Sequence, residues 1–402
     1  MSHATSRRSF LSRIGLGSLA ALAVQRGGEA AFAQAPGAKI LGESGVKTSA
    51  RPKKTWQPVS DQKIRVGIAG YGVCQFGAAF GFQDHPNVTV AAVTDLIPDR
   101  CAALAKACGC ERTCPSLEEM VKDDTLSAVY VATDAPSHAR HCIEALKRGK
   151  HVASAVPAVF GSLDDAQQLL EAVKSTGRKY MMFETSAFRP DCHAMRQIYR
   201  AGGFGKLVYS EGEYFHYMAT PLPSFHEWRV GLPPQWYPTH SNAYYACITG
   251  GSFLEVSCLG IPSVLSHLRP ENNRYKNPFG TEIALLRTSD GAAARMAESW
   301  DTPGYEGEVG RVRGQRGSMT GMTYSGEETK LPDLECPPLP PSVAPGGHGG
   351  SHGHLMNEFV MAILQDRKPL VDITTALNLT VAGIVAHQSA LKGGETMKVP
   401  QF

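Results

Sequence analysis

The chain has 402 residues, 43% of them hydrophobic, which is enough for a sizeable core and more than one domain. Its formal net charge of +3 resides in residues 1–33, which hold four arginines against one glutamate, so the remainder is balanced. A balanced remainder gives no electrostatic case for nucleic acid or an anionic membrane surface as partner.

The N-terminus reads as a twin-arginine export signal. "SRRSFLS" carries Arg7 and Arg8 ahead of Phe10 and Leu11, a weakly apolar stretch follows, and "AFA" offers cleavage after Ala33. The alternative is a basic leader without order. The apolar stretch is too short to span a membrane, so no membrane span is expected in the mature form. The implied partner is the Tat export machinery, and the implied location is the periplasm or another exported compartment. That route carries folded proteins, so a nucleotide cofactor would be loaded before export. Residues 34–60 are polar and aperiodic and read as a linker or arm.

From residue 61 the pattern alternates. Strands are expected in "KIRVGIAGYG", "VTVAAVTD", "LSAVYVAT", "HVASA" and "KYMMFE". Helices are expected around "AAFGFQDH", in "DRCAALAKAC", in "PSHARHCIEALKRGK" up to Gly149, and in "LDDAQQLLEAVKST". Apolar strands alternating with helices predict an α/β fold with a doubly wound parallel sheet of Rossmann type over 61–184. After residue 185, "KLVYSEGEYFHYMA", "SVLSHLRP", "TEIALLRTS" and "AAARMAESW" predict longer strands of a mostly antiparallel open sheet. With the two C-terminal helices, "HLMNEFVMAILQD" and "TTALNLTVAGIVAHQSALK", residues 185–402 form an α+β domain for substrate and oligomerisation, and a homo-oligomer is expected. Whether those helices pack back on the Rossmann domain stays open.

Cys101, Cys108, Cys110 and Cys114 lack the paired spacing of a zinc site. They read as small buried residues, with a disulfide left open in an oxidising compartment.

"GIAGYGVCQFG" lies between a strand and a helix. Gly70 makes the tight turn, Gly72 lets backbone approach a pyrophosphate, and Tyr71 and Val73 share the cradle. The third motif position holds Gln75, and the nearest later glycine is Gly77. Asp95 ends the next strand, 23 residues after Gly72. An acid there accepts from a ribose 2′-hydroxyl and repels a 2′-phosphate, so NAD is expected over NADP.

From about Lys63 onward the chain resembles the Gfo/Idh/MocA oxidoreductases, on "VGIAGYG", Asp95, "VATDAPSHARHCIEALKRGKHV" and the antiparallel second domain. The resemblance implies hydride transfer between NAD(P) and a sugar or cyclitol carbon. That family carries an E-K-P triplet where this chain reads Ala155-Val156-Pro157, so its usual acid/base lysine is replaced by a valine. The chain is also similar to the NAD-dependent glycosidase branch, which reads E-V-P there. The shared marks are "GRKYMMFE", "FGKLVYSEGEY", "YPTH" and the loop "GGHGG". In that branch bound NAD oxidises a sugar hydroxyl, the aglycone is eliminated, water adds and the hydride returns. Phe188 and "THSNAYY" depart from the branch's pattern.

With Val156 unable to move a proton, His240 in "PPQWYPTHSNAYY" is the expected base, and Tyr237 its relay. A satisfied interior histidine is the plain alternative. Trp236, Tyr244 and Tyr245 offer rings for a sugar face or simply fill core. His348, in the glycine loop, is expected at the substrate, and the loop's histidines lack a carboxylate pattern for metal. His138 reads as a cofactor contact at the end of the third strand, or as a helix cap. Glu184 is expected at the cofactor and Arg189 at the substrate, with an ion pair between them as the plain alternative. Tyr214 is a further substrate-side candidate. The expected function is an exported NAD-dependent sugar oxidoreductase. The alternatives are a glycosidase using bound NAD, and a sugar- or nucleotide-binding protein without catalysis.

Overall fold

The computed structural model describes residues 54–402. The export signal and residues 34–53 of the expected linker lie outside them.

The first sheet is parallel. Its strands are β1 (Ile64–Ala69), β2 (Val88–Thr94), β3 (Ala128–Val131), β4 (His151–Ser154) and β5 (Tyr180–Met182), in the order β2-β1-β3-β4-β5. All residues of β3 and β5 are buried, as strands covered on both faces must be. The covering helices are α1 (Phe76–Ala79), α2 (Pro98–Cys108), α3 (Leu117–Met120), α4 (His138–Lys147) and α5 (Leu163–Thr176). Local signals set their ends. The Ser162 hydroxyl accepts from Asp165 N at 3.1 Å to start α5, and Gly177 at φ 62° closes it. The helix expected after the glycine turn is a single turn, α1, followed by a 3-10 turn at Phe82–Asp84.

The second sheet has eight strands: β6 (Leu207–Phe215), β7 (Phe253–Pro262), β8 (Phe279–Thr288), β9 (Ala293–Ser299), β10 (Gly307–Gly314), β11 (Gly317–Thr320), β12 (Thr323–Gly326) and β13 (Met397–Lys398). It is antiparallel except for the β6–β9 pair. "SVLSHLRP", expected as a strand, is instead a loop with a 3-10 turn at Ser266–Leu268, and the strand lies just before it in β7. Pro262 ends that strand, because proline has no N–H for the ladder.

Helix α6 (Pro190–Arg200) leads from the first sheet to the second, α7 (Thr239–Thr249) lies between β6 and β7, and a glycine-rich turn, α8 (Gly347–Gly350), precedes α9 (His352–Leu364) and α10 (Ile373–Leu391). Helix α10 packs on α5 and β5 of the first domain and on α7 and β7 of the second. All ten cysteines are free; Cys101, Cys108 and Cys110 are buried, and burial pushes the Cys108 thiol up to about 12.

Helix α7 lies against β6 and β10 and is buried from Thr239 to Ile248. Glycines make this approach feasible. A Cβ on Gly212 would stand 2.1 Å from Ser241 O, and one on Gly310 would stand 2.0 Å from the Tyr244 ring. Gly212→Ala should therefore cost about 1–3 kcal/mol by overpacking, read as a lower denaturant midpoint at unchanged m-value. An unchanged midpoint would show that α7 yields freely.

Candidate active site

The strand order reverses between β1 and β3, where ligands of open α/β sheets bind. A Cβ on Gly70 would stand 2.3 Å from Ala132 O, so the two strand ends touch there. Gly70 and Gly72 have φ of 96° and 65°, and the space over Gly72 is open to 4 Å. Gln75 is also left-handed, at φ 57°, and starts α1. Two residues on, a Cβ on Gly77 would meet Gly70 O at 2.3 Å. Gly77 thus supplies the close helix–strand contact that the motif assigns to its third glycine.

The Asp95 carboxylate accepts from Tyr71 N at 2.8 Å and from Ile97 N at 2.9 Å. From here a groove runs along Tyr71, Val73 and Asp95 past Thr133 and Val156 to Trp228, Arg229 and Tyr237. A turn with open backbone, an acid fixed at the end of β2 and a continuous groove between them fit a dinucleotide. Because α1 is one turn long, backbone of the Gly70–Val73 turn would face the pyrophosphate, and the Asp95 carboxylate the ribose.

Beyond Tyr237 lies a cluster drawn from three elements. Glu184 follows β5, His240 lies in the first turn of α7, and Glu308 is on β10. His240 Nδ1 is 2.8 Å from Glu184 Oε1, 3.6 Å from Glu308 Oε1 and 3.3 Å from Thr185 Oγ1. Its Nε2 has no partner among the described residues. Burial alone pulls the His240 pKa down; the Glu184 and Glu308 carboxylates outweigh it and the net direction is up. Burial pushes Glu184 up, but His240 and the Ser186 N–H, 2.8 Å away, bring it below its ordinary value. The Tyr214 ring stands edge-on to His240 at 4.5 Å and the Tyr237 ring lies at 5.6 Å.

Several expectations are redirected. Glu184, expected at the cofactor, is wholly buried and turns to His240. Arg189 pairs with Glu308 at 2.8 Å, not with Glu184. His138 lines the groove, but its ring nitrogens face Pro157 O at 2.9 Å and Thr133 O at 3.1 Å, so it ties two loops together. Tyr244 cannot offer a face to a sugar, because it is buried against Gly310 and donates to Asp191 at 2.9 Å. Trp236 packs on Gly161 and among Phe160 and Tyr275, away from the groove. Trp228 lines the groove instead. His348, at φ 47°, reaches His352 Nε2 from its Nδ1 at 2.8 Å; burial and the nearby His240 lower its pKa, against the pull of Glu308 and Glu184. His352 in turn stacks on Phe80 at 4.3 Å and approaches Ala79 O at 3.2 Å. Among the described residues no group of three or more His, Cys, Asp or Glu is placed to hold a metal.

Glu308 and Arg229 escape a reading of the sequence. Glu308 sits in "GEVGRVRG", where glycines mask the strand; alternation of Glu308, Gly310 and Val312 toward the covered face is the signal that marks it. Arg229 lies in a loop, and its only mark is the adjoining Trp228.

Fold and groove together define an NAD-binding oxidoreductase. Residues 64–184 match the model of the Gfo/Idh/MocA family, described as an oxidoreductase family with an NAD-binding Rossmann fold. That segment carries the NAD-binding fold of such oxidoreductases, and NAD is the cofactor. The chain is 24% identical over 384 residues to a glycosyl hydrolase family 109 protein of Streptomyces niveus, covering 84% of this chain and 77% of that protein. Its fold is similar to that of a levoglucosan dehydrogenase solved with NADH and levoglucosan, with TM-score 0.67, 17% identity, and 85% of this chain and 100% of that one covered. It is also similar to scyllo-inositol dehydrogenase from Lactobacillus casei, with TM-score 0.66, 15% identity, and 85% and 99% covered.

Asp95→Ala should weaken NAD and narrow its margin over NADP, measured by fluorescence titration of each nucleotide. Equal affinity of the unaltered protein for both would remove Asp95 as the selector.

Proposed function

We propose that the chain oxidises a hydroxyl of a sugar or sugar-derived substrate, with His240 taking the hydroxyl proton. The observation that carries this is the 2.8 Å His240–Glu184 contact beside Tyr237, which itself lines the nucleotide groove. NAD, when bound, supplies the acceptor for the hydride leaving the carbinol carbon. His240 Nε2 accepts the proton, while the Glu184 carboxylate holds the Nδ1–H and balances the imidazolium charge. Tyr237 stands where it can relay that proton, and Tyr214 fixes the ring's tilt. Val156 borders the groove as an apolar wall that keeps water from the reacting carbon.

A general base is typically worth about 10²–10⁴ in rate. His240→Ala should lose that much in kcat while NAD still binds. Near-full turnover on the true substrate would make His240 structural. The pH profile gives a second check. His240 acts as base when neutral, and its raised pKa places the acid limb of kcat/KM above its ordinary value of 6.5. Glu184→Gln leaves burial as the main influence, so the limb should move to lower pH. A limb that stays in place would uncouple the pair.

A glycosidase reading with retained NAD is favoured by the family 109 relatives and by His348, a second titratable group facing the same cluster. Nitrophenyl glycosides decide between them. Nitrophenol release without net NADH supports the glycosidase; NADH accumulating with a free sugar supports the dehydrogenase.

Export by the twin-arginine route fits a protein that folds around its cofactor. Arg7→Lys with Arg8→Lys should hold the precursor in the cytoplasm, seen by fractionation. Normal secretion of that variant would overturn it.

A further inference from the structure

Arg229 stands out beside a cluster whose own charges are paired. Glu184 pairs with His240, Arg189 with Glu308, and Asp134 accepts from the Ser137 hydroxyl at 2.8 Å. Arg229 is half-buried and lines the groove, and among the described residues it has no acidic partner within ion-pair distance. Its guanidinium lies over the Trp228 ring at 4.2 Å and 5.9 Å from the centre of the Tyr237 ring. Its charge acts on His138 and Tyr237, which line the groove, and on Tyr214 and His216.

The backbone that carries it is pinned. Arg229 N donates to Ser224 Oγ at 3.1 Å, Tyr275 Oη donates to Trp228 O at 2.6 Å, and Arg274 Nη1 donates to His226 O at 2.8 Å. A guanidinium stacked on an indole presents its N–H groups in its own plane; one bonds the Tyr237 hydroxyl, and the others keep the planar fork that matches a carboxylate. A neutral sugar leaves this half-desolvated charge without a counter-ion; a substrate bearing one negative charge neutralises it.

We propose that the substrate is a sugar acid, and that Arg229 holds its carboxylate while His240 faces the hydroxyl to be oxidised. This rests on the oxidoreductase reading above and narrows its substrate class. A single guanidinium balances one negative charge, which favours a carboxylate over a phosphate.

The test uses the purified full-length protein with NAD and three kinds of probe: glucuronate and galacturonate, glucose and galactose, and glucose 6-phosphate. Turnover is followed as NADH, and binding of each probe and of NAD is measured separately by calorimetry. The expected result is a preference of about 10–100-fold for the acids over the neutral sugars, the size of one charge-assisted pair. Arg229→Gln should collapse that preference while NAD affinity stays within about twofold, and Arg229→Lys should keep part of it. Equal use and binding of acids and neutral sugars would overturn the proposal. So would a preference that survives Arg229→Gln, a preference for glucose 6-phosphate, or a loss that appears in NAD affinity, which would assign the guanidinium to the nucleotide phosphates. Selective acid binding that Arg229→Gln abolishes, without any NADH, would uphold the carboxylate site and overturn the hydride reading instead.

Discussion

The contact between His240 and Glu184 constrains the rest of the molecule. Both groups lie out of water, and burying an ion costs several kcal/mol unless a partner and hydrogen bonds compensate. The partners come from far apart in the chain: Glu184 from the end of the parallel sheet, His240 from α7, Glu308 from the antiparallel sheet. They meet only if α7 is pressed between the antiparallel sheet and the Thr185–Phe188 turn that follows β5. The absent side chains of Gly212, Gly310 and Gly383 allow that pressure; a Cβ on Gly383 would stand 2.1 Å from Gln235 O.

The same helix is anchored on its far side by two buried acids. Ser241, next to His240, donates to the buried Glu298, whose carboxyl burial pushes well above its ordinary range. Its register partner Glu282 holds His387 at 2.7 Å and accepts from Gln235 N at 2.7 Å. Two buried acids thus hold α7 and the preceding turn, so the histidine is aimed by hydrogen bonds on both flanks.

The parallel domain was legible because its signals are local: apolar strands, helix caps and glycines recur within short windows. The glycine motif was only half legible. Its third member is displaced to Gly77 because Gln75 takes the left-handed turn, and fixed spacing does not anticipate that. The aromatic run around His240 misled in another way. Trp236, Tyr244 and Tyr245 are chemically able to face a sugar, and nothing in their spacing distinguishes that from core. In α7, "THSNAYYACIT" is rich in poor helix formers, so packing rather than propensity makes it a helix. Pairings such as His240 with Glu184, or Arg189 with Glu308, join residues more than 50 positions apart. No local pattern records such distances along the chain.

Helix α10 binds α5 and β5 on one side and α7 and β7 on the other. It acts as a splint across the two sheets, and its buried positions leave it no solvent face along most of its length. A splinted pair of domains cannot open like a clam to admit substrate. The groove is rimmed by elements held in place, among them the Ser224–Arg229 turn with its three hydrogen bonds. Substrate must therefore fit an entrance whose width is set when the chain folds.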